Sequence, residues 1–295
     1  MKPKVAWQVG RFDSWAGAQR LLFGRMYEDV EIEHEAFQGK GRVFCIASAG
    51  DTAIRLAGEH EVVACDINPV QLAYAERRAS GSPAEMGAAE RLMSLARTLL
   101  PLAGWRVSVL REFLALSNVT EQIFFWRNHL DTWRFRAGFD ALMSRPILRV
   151  MYAAQFLSFL PPSFGAVLRK RLEKGFARHS NASNPYARAL LLGEGCESPP
   201  PRAGNIRFVM ADAASWLESC PCRCFDAFSL SNILDGAESA YRSRLLRAVR
   251  RAGTKEAIVI LRSFAEPPEA LNGNHADHDR SSLWGIVEVR RTHIL

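Results

Sequence analysis

The stretch Val43-Phe44-Cys45-Ile46-Ala47-Ser48-Ala49-Gly50-Asp51, followed by Val62-Val63-Ala64-Cys65-Asp66-Ile67-Asn68, decides the fold of this chain. Its pattern predicts a buried strand, a turn of small residues, a short helix from Thr52 to Ala57 and a second buried strand that ends on a carboxylate. Small residues allow a ligand to approach the backbone, and the helix N-terminus offers unpaired N–H groups. A carboxylate at the tip of the second strand can accept both hydroxyls of a ribose. The stretch therefore predicts a βαβ unit that binds a nucleoside-containing cofactor.

The turn between the two strands favours one class of cofactor. It has a single glycine, Gly50, with Ser48 and Ala49 where a dinucleotide fingerprint has further glycines. A pyrophosphate needs close backbone approach at several points, so the turn disfavours NAD and FAD. A cofactor without phosphates tolerates Ser-Ala-Gly, and we expect S-adenosylmethionine. The alternative is a βαβ unit without a ligand, but Asp66 ends an otherwise apolar strand and has little structural reason to be there.

The rest of the chain predicts an α/β, Rossmann-like class I S-adenosylmethionine-dependent transferase fold with a helical insertion. Residues 1–80 would hold N-terminal helices, with Trp15 to Met26 amphipathic, and the first βαβ unit. Residues 81–190 read as a basic helical cap, and residues 191–295 as the remainder of the sheet. The strands expected there are Ile206–Met210, Phe225–Leu230, Ala257–Leu261 and an antiparallel edge strand Ile286–Arg290. The helices expected around the sheet are Pro69–Ala79 with Asn68 as cap, Ala213–Glu218 and Ala240–Arg251.

Composition and charge indicate a globular protein with one strongly basic segment. The chain has 295 residues, of which 48% are hydrophobic and 23% are charged, as in a folded globular protein. Of the net charge of +7, an excess of nine positive charges lies between Arg91 and Ser180, where fourteen Lys or Arg stand against five Asp or Glu. This segment predicts an anionic partner or surface. No apolar segment follows the basic start, so we expect a cytoplasmic protein. The basic segment could also bring it into peripheral contact with the inner face of the membrane.

Ligands of such sheets bind outside the carboxyl ends of the strands, near the point where the strand order reverses. Residues directly after the strands are therefore the candidates for cofactor binding. Asp212 suits the adenine amino group, and a helix N-cap is an equally good interpretation of it. The candidates from strand ends are Ser48, Ala49, Gly50, Asp51, Asp66, Ile67, Asn68, Asp212, Ala213, Ser231 and Asn232.

Several motifs also fall in the order of a known family. They are Phe23-Gly24-Arg25-Met26-Tyr27-Glu28-Asp29, Ile46-Ala47-Ser48-Ala49-Gly50, Asp66-Ile67-Asn68-Pro69-Val70-Gln71-Leu72, Asn184-Pro185-Tyr186, Leu230-Ser231-Asn232-Ile233 and Asp279-Arg280-Ser281-Ser282-Leu283-Trp284-Gly285. In these the chain resembles the bacterial betaine-lipid enzymes, the S-adenosylmethionine:diacylglycerol 3-amino-3-carboxypropyltransferases. The resemblance adds Gln71 to the cofactor residues. It implies transfer of the aminocarboxypropyl group to the hydroxyl of a lipid such as diacylglycerol, with release of methylthioadenosine.

The chemistry of that transfer sets what the site must contain. All three carbons on the sulfonium are open to in-line displacement, so positioning decides which group moves. The carboxylate and amine of the donor must be held, for which Arg25, Tyr27 and Asp29 are candidates. An alcohol acceptor needs a base, and Asp235 is the first choice because it lies just past a strand end, with a turn or helix cap as the competing interpretation. The histidines His129 and His275 are the other candidates.

Two other functions stay open at this stage. One is a methyltransferase of a small molecule, which the residues of the nucleotide site do not exclude. The other is a non-enzymatic basic module that binds membrane or RNA on a relic fold, although the helical spacing of Phe and Trp in the insertion favours core positions and we expect no nucleic-acid partner. No metal is expected: Cys220, Cys222 and Cys224 are too closely spaced for a zinc site, and His275 to Asp279 reads as a mobile loop over the site.

Overall fold

The computed structural model describes residues 20–151, 157–194, 205–268 and 273–294. The described strands are β1 (Arg42–Ile46), β2 (Glu61–Asp66), β3 (Ile206–Met210), β4 (Phe225–Ser229), β5 (Gly253–Ser263) and β6 (Ile286–Arg291). They form a six-stranded sheet in the order β3-β2-β1-β4-β5-β6. The first five pair in parallel, and β6 pairs antiparallel with β5. This order is that of a doubly wound, Rossmann-like sheet, so the α/β prediction is confirmed.

Helices flank the sheet on both faces. On one face α1 (Glu31–Ala36), α2 (Asp51–Leu56) and α3 (Pro69–Ala79) contribute Phe37, Leu56 and Leu72 to an apolar core with strand residues such as Val43 and Val62. On the other face helices Ala213–Ser219 and Ser239–Ala252 pack Leu217, Leu245 and Val249 against Phe44 and Phe228. Both faces of the central strands are thus covered, which explains why these strands are continuously apolar rather than alternating.

A helical insertion separates α3 from β3 in the chain. Its own core holds Trp105, Phe113, Trp126 and Phe135, all buried, which confirms that most of its aromatic residues are core residues. Trp133 and Phe124 are exceptions, because they are 74% and 66% exposed. The described helices of the insertion are Ala88–Thr98, Val107–Ala115, Val119–Phe125, a π-helical turn Trp126–Leu130, Trp133–Leu142, Arg145–Met151, Phe164–Phe176 and Pro185–Leu192. In the described ranges, none of the helices is long and apolar enough to cross a membrane.

The N-terminal segment departs from the sequence prediction. Residues 20–30 contain no helix, although an amphipathic helix was expected up to Met26, and the part of that prediction before Arg20 lies outside the described residues. The cause is tertiary: backbone N–H groups of Leu22, Phe23, Gly24 and Met26 donate to side chains of other elements rather than to one another. The segment therefore crosses the carboxyl ends of the strands without forming a helix or a strand.

Candidate active site

The strand order reverses between β1 and β4, and the residues that follow these strands form the centre of the candidate site. Ser48 follows β1 and has φ 45°, and Ser231 follows β4 and has φ 52°. Both angles lie in the left-handed region, which is costly for a residue with a Cβ. The two serines lie at the strand ends that flank the point of reversal, and both line the cleft described below.

Asp66 ends β2 beside this point, and the backbone holds its carboxylate in place. Its Oδ2 accepts the N–H of Ser48 at 3.1 Å, and its Oδ1 accepts the N–H of Asn68 at 2.8 Å. Burial raises the pKa of Asp66 to about 6, against the lowering effect of these N–H groups. Each oxygen keeps a second lone pair, so the carboxylate can still accept two hydroxyls from a ligand.

A small open cleft of about 80 Å³ lies over these strand ends. Many of the residues predicted for the cofactor share it, although they come from four different strand ends. Asp212 is the N-cap of helix Ala213–Ser219, because its side chain accepts the N–H of Ser215 at 2.8 Å. It also lines the cleft, so the capping position is compatible with a position beside the cofactor. The predicted residues that line the cleft are Ser48, Asp66, Ile67, Asn68, Gln71, Asp212, Ala213, Ser231 and Asn232.

Other predicted cofactor residues hold the N-terminal segment over the cleft instead. The Gln71 amide accepts from the N–H groups of Leu22 and Phe23 at 3.0 and 3.1 Å and donates to the carbonyls of Phe23 and Ser48 at 2.7 and 2.9 Å. Asp51 accepts the N–H of Met26 at 2.9 Å and pairs with Arg78. Gln71 thus lines the cleft, but both polar atoms of its amide already form hydrogen bonds within the protein. Asp51 lines neither the cleft nor the cavity described below.

Two small residues of the turn shape it without lining the cleft. Ala49 is fully buried in a cluster with Met26 and Tyr74. Gly50 has φ 90°, and a Cβ there would approach Ala75 of α3 to 3.2–3.3 Å. The glycine therefore allows both the left-handed turn and the close packing of α3 against it.

An apolar cavity of about 530 Å³ lies between the insertion and the sheet. It meets the cleft, because Phe23, Ser48, Ser231 and Asn232 line both. Charged or titratable side chains also line the cavity, and Glu28 among them contacts Ser231 at the junction; they are Arg25, Tyr27, Glu28, Arg97 and Arg134. Apolar residues that line the cavity include Leu92, Met93, Leu100, Phe135, Phe139, Leu148, Leu160, Phe164, Leu168, Leu172, Leu190, Phe264 and Trp284.

Of the residues predicted to hold the polar end of the donor, Arg25 and Tyr27 line the cavity, whereas Asp29 forms an ion pair. The pKa of Tyr27 is raised to about 12, chiefly by burial and then by Glu90, while the guanidinium groups of Arg25 and Arg97 oppose this rise. Arg97 was missed in the sequence, because nothing in the pattern of its helix indicated that it lines a cavity. Asp29 lines neither space: it forms a bidentate ion pair with Arg280 at 2.5 and 2.6 Å, and its pKa is lowered despite its burial because Arg280 donates to it. Asp29 is therefore not free to bind an amine.

The three side chains considered as base do not face the cleft or the cavity. Asp235 accepts the Ser263 hydroxyl at 2.6 Å and the Phe264 N–H at 3.0 Å, so it braces the loop after β4 against the end of β5. His129 is exposed on the insertion with its ring 4.8 Å from that of Phe125. His275 belongs to a loop whose Asp277 pairs with Lys174 at 2.6 Å and Arg178 at 2.8 Å. That loop is bound to the insertion rather than open over the site.

A carboxyl group that sequence reasoning missed does reach the junction. Glu28 is 6% exposed, lines the cavity and accepts a short hydrogen bond from the Ser231 hydroxyl. Behind it the guanidinium of Arg262, fully buried at the end of β5, contacts Glu33, Asp279 and Glu28. The signal was present in the sequence as an acidic pair, Glu28-Asp29, within the motif before β1. Within the described ranges, no group of three or more His, Cys, Asp or Glu is placed to hold a metal ion.

Comparisons with known proteins add a weak structural likeness. No family model and no curated protein matches the chain, so the resemblance to the aminocarboxypropyltransferases has no support from them. Among solved structures, the rRNA methyltransferase aviRa from Streptomyces viridochromogenes aligns over 85% of this chain and 80% of that chain, at 15% identity and a TM-score of 0.32. The strand order described above, rather than this likeness, defines the fold as Rossmann-like.

Proposed function

We propose that this protein is an S-adenosylmethionine-dependent transferase that moves the 3-amino-3-carboxypropyl group to the hydroxyl of an apolar acceptor, a lipid such as diacylglycerol, and releases methylthioadenosine. The observation that carries the proposal is the meeting of a polar strand-end cleft and a large apolar cavity at Ser48, Ser231 and Asn232. A transfer between a nucleoside donor and a lipid acceptor needs two such spaces with one shared boundary.

The donor's adenosine would lie in the cleft. Asp66 would accept the ribose hydroxyls, since both of its oxygens are already aimed by backbone N–H groups. Asp212 and Ala213 lie where the adenine edge would come. The turn after β1 supplies no series of glycines for a pyrophosphate, which favours a donor without phosphates. The cleft is open and small, at about 80 Å³, so the adenosine would remain partly exposed to solvent.

The amino-acid part of the donor would extend from the cleft to the junction. Arg25 and Arg97 line the cavity with Tyr27 and act electrostatically on it, and a guanidinium group is well suited to a carboxylate. Anchoring the donor carboxylate at these residues would turn the γ-carbon, rather than the methyl group, towards the cavity. Positioning of this kind selects aminocarboxypropyl transfer, because the sulfonium activates all three carbons alike.

The acceptor's apolar part would fill the cavity. Its volume of about 530 Å³ lies within the range of roughly 300–1,000 Å³ that is usual for small-molecule sites. The leucine and phenylalanine lining favours a hydrocarbon chain, whose burial gains about 25 cal/mol per Å² of apolar surface. The acceptor hydroxyl would then lie at the polar junction, where the donor carbon is presented.

The outer end of the cavity carries exposed apolar side chains. Leu99 and Leu102 line the cavity and are 53% and 74% exposed, and Trp133 lies next to Arg134, which also lines it. Thr132 joins these two elements by donating to the Ala103 carbonyl at 3.3 Å. Exposed leucine and tryptophan beside arginines, in the segment with an excess of nine positive charges, suit an anionic bilayer surface. We include docking on such a surface in the proposal, as the route by which lipid enters.

Mass measurement of both products tests the reaction. The protein is incubated with S-adenosylmethionine and dioleoylglycerol in detergent micelles, and nucleoside and lipid are analysed by mass spectrometry. Methylthioadenosine together with a lipid enlarged by an aminocarboxypropyl group supports the proposal. S-adenosylhomocysteine with a methylated acceptor would replace it by the methyltransferase alternative, and no product from either would reject it.

Vesicle sedimentation tests the docking surface. Wild type should sediment with phosphatidylglycerol vesicles and not with phosphatidylcholine vesicles, and binding should fall at high salt. The double variant Leu102→Ala/Trp133→Ala should bind several-fold more weakly. Phe124→Ala is the matched control, since Phe124 is 66% exposed on the insertion but does not line the cavity. Equal losses in both variants would contradict a surface centred on the cavity mouth.

A further inference from the structure

The Glu28 carboxyl lies where a reacting hydroxyl would meet the donor. It lines the apolar cavity together with Ser231 and Asn232, which also line the cleft. Its backbone carbonyl accepts the Tyr186 hydroxyl at 2.7 Å, and the indole of Trp284 donates to the neighbouring carbonyl of Tyr27 at 2.9 Å. The segment around Glu28 is therefore held from two sides, and its side chain has a defined position at the junction.

The groups around Glu28 leave its charge poorly compensated. Arg262 gives its best contacts to Glu33, at 2.5 and 2.9 Å, while Asp279 is 3.3 Å and Glu28 3.5 Å from it. One guanidinium thus faces three buried carboxyl groups. Arg280 does not relieve this imbalance, because Asp29 already pairs with it in a bidentate manner. Glu28 has the longest ion-pair contact of the three and is the one that opens to the cavity.

The same surroundings set the titration of Glu28 near neutrality. The pKa of Glu28 is raised to about 7, chiefly by burial and also by Glu33 and Asp279, while Arg262 and the Ser231 hydroxyl oppose this rise. The other charged or titratable groups that line the cavity are Arg25, Tyr27, Arg97 and Arg134. A carboxyl group with a pKa near the working pH is suited to take up a proton and release it again.

We propose that Glu28, rather than Asp235, is the general base of the transfer reaction. This inference rests on the proposed function. The Glu28 carboxylate accepts the proton of the acceptor hydroxyl as its O–H bond breaks, while the oxygen forms a bond to the donor γ-carbon. The bond from that carbon to sulfur breaks, and its electron pair stays on sulfur in neutral methylthioadenosine. Ser231 is a positioning residue, because its hydroxyl donates to Oε1 of Glu28 while Arg262 lies 3.5 Å from Oε2, and each oxygen keeps a further lone pair for the proton.

Activity and its pH dependence test the role with S-adenosylmethionine and dioleoylglycerol. In wild type kcat should rise with pH to a plateau, with a midpoint near 7, because the base must be deprotonated. Glu28→Gln should lower kcat about 100-fold or more and abolish this limb, while Glu28→Asp retains part of it. Calorimetry of S-adenosylmethionine binding and a thermal melt show whether Glu28→Gln is folded and able to bind the donor.

Glu33→Gln separates a base from a merely structural carboxylate. It removes a negative neighbour of Glu28 and frees Arg262 for it, so the midpoint of the pH profile should move to lower pH with activity retained. An unchanged midpoint, or Glu28→Gln activity within twofold of wild type, would overturn the assignment of the base alone. Wild type that gives no product would instead reject the proposed function, and the base with it.

An infrared titration reads the carboxyl group without turnover. Asp66→Asn serves as the background, because Asp66 also titrates near pH 6. This protein should show a protonated-carboxyl C=O band that disappears between about pH 6 and 8, and adding Glu28→Gln should remove the band. Absence of the band in Asp66→Asn, or its persistence in the double variant, contradicts the inference even if the enzyme is active.

Discussion

At the scale of single residues, the candidate site depends on how each carboxyl group is engaged. Asp66 is aimed by two backbone N–H groups yet keeps lone pairs for a ligand. Asp29, Asp51 and Asp235 have comparable sequence settings, but each has its oxygens committed to arginine, serine or backbone donors. The chemical type of a residue was therefore less informative than the partners that the fold provides for it.

We expect Asp66→Asn to lower the affinity for S-adenosylmethionine by about 10- to 100-fold, because hydrogen bonds to a charged group are worth about 1.5–3 kcal/mol. The amide has one acceptor oxygen, so it cannot keep both backbone N–H bonds and both ribose hydroxyls. Calorimetry measures the affinity. Glu59→Gln, at an exposed position before β2, is the control and should bind like wild type. Equal affinities in all three proteins would contradict the placement of the ribose.

The affinity of wild type should also depend on pH through Asp66. Its raised pKa of about 6 means that the carboxylate takes up a proton as the pH falls through 6, well above the usual range for aspartate. Protonation removes an acceptor for ribose, so binding should weaken by up to about tenfold per pH unit below 6. Fluorescence or calorimetric titrations from pH 5 to 8 check this, and Asp66→Asn should lack the dependence. A constant affinity in wild type would exclude Asp66 as an ionised ligand.

At the scale of elements, the segment of residues 20–30 joins the two halves of the site. Gln71 of α3 supplies four of its hydrogen bonds to this segment and the turn after β1, and Glu90 of the insertion accepts the N–H of Gly24 at 2.8 Å. On the far side, the loop before β6 holds it through Asp279 and Arg280. This segment carries Arg25, Tyr27 and Glu28 to the cavity, and its conformation depends on residues distant in the chain.

Gln71→Met should loosen this segment while leaving the sheet intact. Methionine fits a similar space without hydrogen bonds, and the buried polar groups left unpaired cost about 1–3 kcal/mol. Hydrogen exchange at the amides of Leu22 and Phe23 should accelerate, and the free energy of unfolding in urea should fall by that amount. Arg55→Gln is the control: its pair with Glu31 is exposed and worth at most about 1 kcal/mol. Unchanged exchange at both amides would show that Gln71 does not hold the segment.

At the scale of the whole molecule, the insertion and the sheet have separate cores, and the cavity lies between them. The insertion packs around Trp105, Trp126 and Phe176, and the sheet packs around Phe44 and Phe228. Helix Phe164–Phe176 connects the two regions, since Arg171 donates to the carbonyls of Phe264 and Leu283. A cavity between two independently packed cores can remain open without weakening either.

Gly138 offers a way to fill this cavity without strain. It lines the cavity within helix Trp133–Leu142, and a Cβ built there meets no atom within 4 Å. Gly138→Leu should raise helix stability by up to about 1 kcal/mol and occupy space meant for acceptor. We expect a higher KM for dioleoylglycerol with unchanged affinity for S-adenosylmethionine. Gly138→Ala is the matched control with a smaller effect, and equal KM values in the two variants and wild type would show that lipid does not enter there.

The α/β fold and many of the strand-end residues were predictable from the sequence, because they depend on local patterns. Buried parallel strands are continuous apolar runs, helices begin at capping residues such as Asn68, and the carboxyl ends of parallel strands lie on one edge. Ser48, Asp66, Asp212 and Ser231 could thus be assigned to one place without coordinates. The antiparallel β6 was recognisable in the same way.

The tertiary structure alone decided which groups are free to act. Asp29 is paired with Arg280, whereas the neighbouring Glu28 faces a cavity. This difference depends on contacts between residues more than 200 positions apart in the sequence. The segment before β1 likewise has a helical sequence pattern but no helix, because its N–H groups donate to the side chains of Gln71 and Asp51. The cavity also depends on the tertiary structure, since it lies between the insertion and the sheet. Local pattern reports the periodicity of burial along one element, whereas charge compensation and enclosed space arise between elements that the chain brings together only on folding.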